Sequence, residues 1–332
     1  MSSKSKVRSG PASPSRRSGP RDASYSDNFL TVDSLNFMGQ GRQSRNKRWV
    51  VGCMDRPPLS NPRRGQLDGR AVLVDYPADR VGALVTGLSR PMECAVSDEG
   101  IFVVDDSTWE SGISGDVRVF DAAGRELFRR QYEANVYNLD ISKCGRYVVV
   151  QTANSSHADG DLLEVLNVDG GAILFSTSPD TGWADSYAFA VSDDGSLKHL
   201  TVVHKTLGRF RYGPTGEFLD SESFCGARLE KGGPESRILG ARAAMDAAGG
   251  NQQKIEEALL AVGGALQQLS SNVGDYQALG LRVQGEALEA LGRSAEALAS
   301  YDAALALNPK IGVARKATAL RKKLGQAQSS PD

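Results

Sequence analysis

The side chains best suited to chemistry fall in three short stretches: Asp105, Asp106, Thr108, Trp109 and Glu110; Gln151, Asn154, Ser155 and His157; and Trp183 with Asp185. Aromatics beside carboxylates and amides offer apolar area with polar orientation, which is what a ligand or peptide surface needs. The acids suit turn capping equally well, and the tryptophans suit packing between sheets, so both assignments stay open at this level. Asp105, Asp106 and Asp116 could also furnish oxygens to calcium. Histidine is scarce: only His157, His199 and His204 occur. The last two stand five residues apart in one strand-like run, hence on opposite faces, and cannot share a metal there. No His-x-x-x-His, Cys-x-x-Cys or Glu-x-x-His spacing exists, so no metal site is expected. The nucleophile elbow, the phosphate loop and the dinucleotide fingerprint are missing too. We assign no catalytic residue and no cofactor.

Those stretches are loops hung on a recurring phrase. A short alternating apolar run leads into a Ser-x-x-Gly turn, a longer apolar strand, a loop, a Gly-led strand and a second turn. The turn serine is Ser97, Ser142 and Ser192, at spacings of 45 and 50 residues. One copy reads Cys94-Ala-Val, Ser97-Asp-Glu-Gly100, Ile101–Val104, then Gly115–Phe120 and the turn Asp121–Gly124. The next reads Leu139-Asp-Ile, Ser142-Lys-Cys-Gly145, Arg146–Gln151, Asp161–Leu166 and Ala172–Phe175. The last reads Phe189-Ala-Val, Ser192-Asp-Asp-Gly195, Lys198–Val203, Gly208–Tyr212 and Glu217–Leu219. A degenerate first copy places Ser44 before Asn46–Cys53, with Gly69–Asp75 as its second half; between them Arg56–Arg64 reads as a surface loop. Short β-branched and aromatic runs between Gly/Asp/Asn turns signal antiparallel hairpins.

Four such strands every ~45–50 residues is the period of a propeller blade. The stretch resembles the WD-repeat and quinoprotein-like propeller families in that rhythm, without the Gly-His, Trp-Asp or Trp-Gly signatures. The resemblance implies about four four-stranded blades over residues 28–225. They would form a small ring, an open stack, or a partial ring completed by another chain. An exposed blade edge needs a cover, which the C-terminal part could supply.

After a Gly-rich linker at 226–234 the composition turns to Ala, Leu, Glu and Gln, the strong helix formers. Helices are expected near 235–248, 252–269, 275–291, 294–307 and 310–324, with Gly249-Gly250 and Asn308-Pro309 as breaks. Gly285, Leu288, Leu291-Gly-Arg293, Ala297, Tyr301, Ala304 and Asn308-Pro309 fall at tetratricopeptide spacing. This part resembles the tetratricopeptide (TPR) family, most closely over 278–311. The resemblance implies an α-helical TPR-like array over 235–325 whose groove is lined by Leu279, Arg282, Glu286 and Glu289. The last helix would add Lys316 and Lys323. Such a groove would favour an acidic peptide.

Residues 1–48 carry ten Lys and Arg against three Asp, although the whole chain is nearly neutral at −1. Residues 1–27 read as a disordered basic tail and 326–332 as a second disordered tail. The four cysteines are dispersed and read as buried, reduced thiols, which points to a soluble cytoplasmic protein. No secretory leader or membrane-length apolar run is visible. The fold expectation is thus multidomain, β then α. The functional expectation is a non-catalytic adaptor or complex subunit. It would bind another protein or acidic peptide through Asp105, Asp106, Trp109, Asn154 and His157, and through Arg282, Glu286, Glu289, Lys316 and Lys323. Two rival readings remain: a propeller hydrolase or lyase built on Asp105, Asp106 and His157, and a nucleic-acid-associated subunit using the basic tail and the basic last helix. Self-association into a homo-oligomer is compatible with all three.

Overall fold

The computed structural model describes residues 21–55, 69–107, 114–270 and 274–328. Trp109 and the tail through residue 20 lie outside the described residues. The β part runs β1 (Ala23–Ser26), β2 (Phe29–Val32), β3 (Phe37–Gln43), β4 (Trp49–Met54), β5 (Gly69–Asp75), β6 (Arg80–Leu88), β7 (Pro91–Val96) and β8 (Phe102–Asp106). It continues with β9 (Gly115–Phe120), β10 (Glu126–Tyr132), β11 (Val136–Ile141), β12 (Tyr147–Thr152), β13 (Leu163–Asn167), β14 (Ile173–Thr177), β15 (Ser186–Val191), β16 (Leu197–His204) and β17 (Gly208–Tyr212). These strands form four antiparallel sheets: β1–β6, β7–β10, β11–β14 and β15–β17. Six helices follow: α1 (Ser221–Lys231), α2 (Pro234–Ala247), α3 (Gln252–Gln268), α4 (Gly274–Ala290), α5 (Ser294–Leu307) and α6 (Ala314–Gln328).

The recurring serine is a turn clamp. Ser97 Oγ accepts the Ile101 N–H at 3.0 Å; Ser142 Oγ accepts those of Arg146 and Tyr147 at 3.1 and 3.0 Å. Both serines are 1% exposed, and the bond from the Tyr147 N–H is fully buried. Three residues on, Gly145 takes φ 70°, a left-handed conformation that glycine adopts without steric cost. In the first copy Ser44 accepts the Trp49 N–H, and Lys47, not glycine, stands at φ 61°. The period therefore survives where the motif does not.

The turns are stitched to one another. Asn46 holds Asp98 through both its backbone and side-chain N–H groups, Asp98 N–H donates to Lys143 O, and Tyr147 Oη donates to Gly195 O at 2.7 Å. The recurring turns thus become a linked row along one rim of the four sheets. Between the sheets lie separate apolar layers. Trp49, Val51 and Leu73 meet Phe102 and Phe120 between the first two sheets; Val117 and Tyr132 meet Leu139 and Val148 between the next; Val149 and Val165 meet Leu200 and Val202 in the last.

Strand number departs from the expected four per sheet at both ends. The first sheet has six strands because β1 and β2 join it, so residues 23–26, expected in the disordered tail, are ordered. Asp27 and Asn28 both take positive φ, the geometry of a two-residue hairpin turn. Ala23, Leu30, Val32 and Phe37 then wrap over Val50, Val72 and Val74, so the outer face of this sheet is covered by its own strands. The last sheet has three strands. Its expected fourth segment, Glu217–Leu219, makes only a single bridge, Tyr212 to Phe218. The Arg211 backbone N–H and guanidinium grip Asp220 instead, and α1 begins at the next residue, still within the stretch expected to be β-domain, and runs on into the stretch expected to be linker. Phe224 of α1 enters the last apolar layer edge-on to Phe210 at 4.8 Å. The aromatic's gain in burial outweighs the glycine content that suggested a break.

The other five helices lie close to their expected spans, except that α6 starts at Ala314 rather than 310 and continues through 326–328, which were expected in the second disordered tail. Ile238, Ala258, Val262 and Val283 knit α2, α3 and α4; Leu288, Tyr301 and Ala317 knit α4, α5 and α6. Of the cysteines, Cys53 and Cys94 are buried, but Cys144 sits exposed in its turn and Cys225 is half-buried; all four are free thiols.

Candidate functional site

The innermost strands face one another: β7 lies against β3 and β4, β11 against β7, and β15 against β11. At the ends of these strands away from the stitched turns lies a cavity of about 810 Å³. Its lining includes Tyr25, Phe29, Arg42, Glu93, Asp105 and Tyr137, with Met92 beside them. Met92 and Tyr137 occupy the same place in the repeat, five residues before Ser97 and Ser142. Large apolar side chains are open here: Phe29, Met92, Tyr137 and, on the connection before β15, Trp183 are 42 to 47% exposed. Tyr137 stacks on Trp183 at 4.8 Å and 25°, so the aromatic surface continues past the cavity.

Trp183 is held out by buried amides. Gln151, fully buried, donates to Gly182 O at 2.9 Å and accepts from the Ala184 N–H at 2.8 Å, clasping the residues on either side. Tyr187 Oη donates to the same Gln151 oxygen, and Asn138 donates to Ala184 O. Exposing a tryptophan costs apolar burial; a fixed loop makes that exposure a property of the fold.

Inside the cavity, Arg42 of β3 pairs with Glu93 of β7, which stands opposite Asp105 of β8 in the sheet register. Burial raises the Glu93 carboxyl, with Arg42 partly offsetting it. Burial raises Asp105 much further, to about 7; the Ser107 hydroxyl offsets part of this, while Glu93, Asp106 and Asp116 add to it. Asp140 of β11, outside the cavity wall, adds to the rise at Glu93. The site therefore holds carboxyls whose charge is costly, beside a single paired arginine.

The residues singled out from sequence are scattered. Asp105 is in the cavity. Its neighbour Asp106 points to the other face, where it accepts from the Ser89 and Arg90 N–H groups and from Arg118 at 3.3 Å. Asp116 pairs with Arg129. These carboxylates are thus committed to different partners, and among the described residues no group of three side chains suits a metal. His157 is exposed in the β12–β13 loop, 3.4 Å from Glu133, and Asn154 is exposed beside it; neither lines the cavity. Asp105, Asp106 and His157 do not form one constellation.

In the helical part the expected groove charges satisfy each other. Arg282 bonds Glu286 at 3.2 Å and donates to Ile311 O, Lys316 reaches the same Glu286 at 3.1 Å, and Tyr301 Oη donates to Glu289 at 2.6 Å. They pin α6 to α4. Lys323 remains exposed. Phe29, Met92, Tyr137 and Arg42 escaped the sequence reading, though the shared repeat position of Met92 and Tyr137 was a usable signal.

No protein-family model and no curated protein matches this chain. Among solved structures, it is similar to the complex of KlAtg21 with the coiled coil of AgAtg16 at 10% identity and TM-score 0.39, over 56% of this chain and 59% of that one. It is similar to HIRA(644-1017) at 14% identity and TM-score 0.37, over 85% and 95%. BamB from Moraxella catarrhalis gives 14% identity and TM-score 0.32, over 55% and 45%. This chain thus spans less than two thirds of the first of these structures, and the similarities carry no conclusion about activity.

Proposed function

We propose that this chain is a protein-interaction subunit that docks a partner segment across the ends of its innermost strands. The observation that carries the reading is the continuous surface of Phe29, Met92, Tyr137 and Trp183 around a polar cavity. Large, half-exposed aromatics held rigidly lose little entropy on binding and form the anchors of interfaces. The four sheets act as propeller-like blades and the helices as a TPR-like array. The close approach of Gly285 to the Tyr301 ring, where a Cβ would lie 2.5 Å away, supports the latter. Free cysteines suit work in a reducing compartment such as the cytoplasm. Among the described residues no helix is long and apolar enough to cross a membrane.

The test is site-specific photocrosslinking. A photoreactive residue at Met92 should give a defined adduct with one partner. Tyr137→Ser or Trp183→Ser should abolish the adduct, while Lys323→Ala leaves it intact. An adduct unaffected by either aromatic change would overturn this assignment.

A further inference from the structure

The cavity chemistry narrows what such a partner must carry. Asp105 is 3% exposed, yet among the described residues it has no ion-pair partner, and its hydrogen-bond donor is the Ser107 hydroxyl at 3.2 Å. The cavity wall also bears Glu93, with Asp27 at the β1–β2 turn, against the one cation Arg42. The remaining walls are rings: Tyr25, Phe29 and Tyr137. Carboxylates beside aromatic faces form a site for an organic cation, which gains charge-assisted hydrogen bonds and cation–π attraction together. A metal ion is a poor alternative, since no three suitable ligands converge among the described residues.

We propose that the cavity receives a lysine or arginine side chain carried by the protein partner, with Asp105 and Glu93 as its acceptors and Phe29 and Tyr137 as its walls. The inference rests on the docking surface proposed above. Charge complementarity commits the site to this occupant: an inserted cation would supply Asp105 with a counter-charge that none of the described residues provides.

Binding then requires the ionised carboxylate. The charged groups that act on Asp105 are Glu93 on β7, itself paired with Arg42 of β3, and Asp106 and Asp116 on its own sheet, with the Cys53 thiol of β4 also close; burial, which dominates, and these carboxyls together hold it near 7. The ionised fraction rises about tenfold between pH 6 and pH 8, and affinity for a cation should rise with it.

The experiment uses the full chain and four fluorescein-labelled degenerate heptapeptide pools, identical except for Arg, Lys, citrulline or norleucine fixed at the centre, read by fluorescence polarisation. The Arg and Lys pools should bind about tenfold or more tightly than the neutral pools at pH 8, and the preference should shrink about tenfold at pH 6. Asp105→Asn should remove both the preference and its pH dependence, and Glu93→Gln should weaken the preference. If all four pools bind equally and Tyr137→Ser abolishes them together, the docking surface stands and the cation site is refuted. If no pool binds, both readings fall. If the variant with Lys4, Lys6, Arg8, Arg16 and Arg17 all changed to Gln binds the Arg pool severalfold better, the chain's own N-terminal residues are the occupant and the partner assignment is overturned.

Discussion

Replacing Asp105 by Asn removes a carboxylate that the fold charges only at a cost. Its pKa rises from an ordinary 3.8 to about 7 in the folded chain, chiefly through burial. Each tenfold change in proton affinity is worth about 1.4 kcal/mol, so the gap sets a ceiling of about 4 kcal/mol on the penalty. The sign follows from proton uptake. Between pH 4 and pH 7 the folded state holds a proton that the unfolded state has released, so stability falls as pH rises and levels off above 7. Asparagine keeps the shape and the polar contact with Ser107 but does not titrate. In urea unfolding, wild type and Asp105→Asn should differ little near pH 4. The variant's advantage should grow by about 2 to 3 kcal/mol between pH 5 and pH 8. A constant difference across that range, or a variant that loses ground as pH rises, would refute the burial argument.

Other consequences are equally direct. Ser142→Ala orphans the buried N–H of Tyr147 and the half-buried N–H of Arg146 and should cost about 1–3 kcal/mol in urea unfolding; Ser192, whose hydrogen bonds lie exposed, should cost much less when changed likewise. Gly285→Ala would drive a Cβ to 2.5 Å from the fully buried Tyr301 ring and should destabilise the helical array by about 1–3 kcal/mol, seen as a lower helical melting transition. In α3 the interior glycines Gly263 and Gly264 meet nothing within 4 Å, so changing both to Ala should stabilise by about 1 kcal/mol each, read as a raised melting temperature. Phe224→Ala empties the aromatic layer where α1 meets the last sheet; a loss of about 3–5 kcal/mol is expected, with hydrogen exchange accelerating in β16 and β17 together with α1.

Two kinds of information were legible at different depths. The Ser-x-x-Gly period marks its own turns because each serine acts within five residues, through local backbone geometry; even Ser44, with lysine in place of glycine, kept its position. Helices α2 to α6 were likewise readable, since their boundaries follow from local breakers and propensity. Local signals misled where a distant partner decided. Gly226 and the following glycines suggested a linker, but Phe224 reaching Phe210 and Asp220 gripping Arg211 made a helix of it. Ala23–Ser26 looked too polar to fold until β2 offered it a hairpin partner.

The site itself was hidden for the same reason. Asp105 and Asp106 are neighbours in the chain, yet strand alternation sends one into the cavity and the other to Arg118. Arg282, Glu286 and Lys316 looked like a groove waiting for charge, and only packing showed that they had found each other. The amino-acid order by itself settled the repeat, its turns and most of the helices, because those depend on contacts a few residues long. Which aromatic stays exposed, which carboxylate is buried and where the cavity opens depended on strands far apart in the chain meeting side by side, and burial is a property of that meeting rather than of any residue alone.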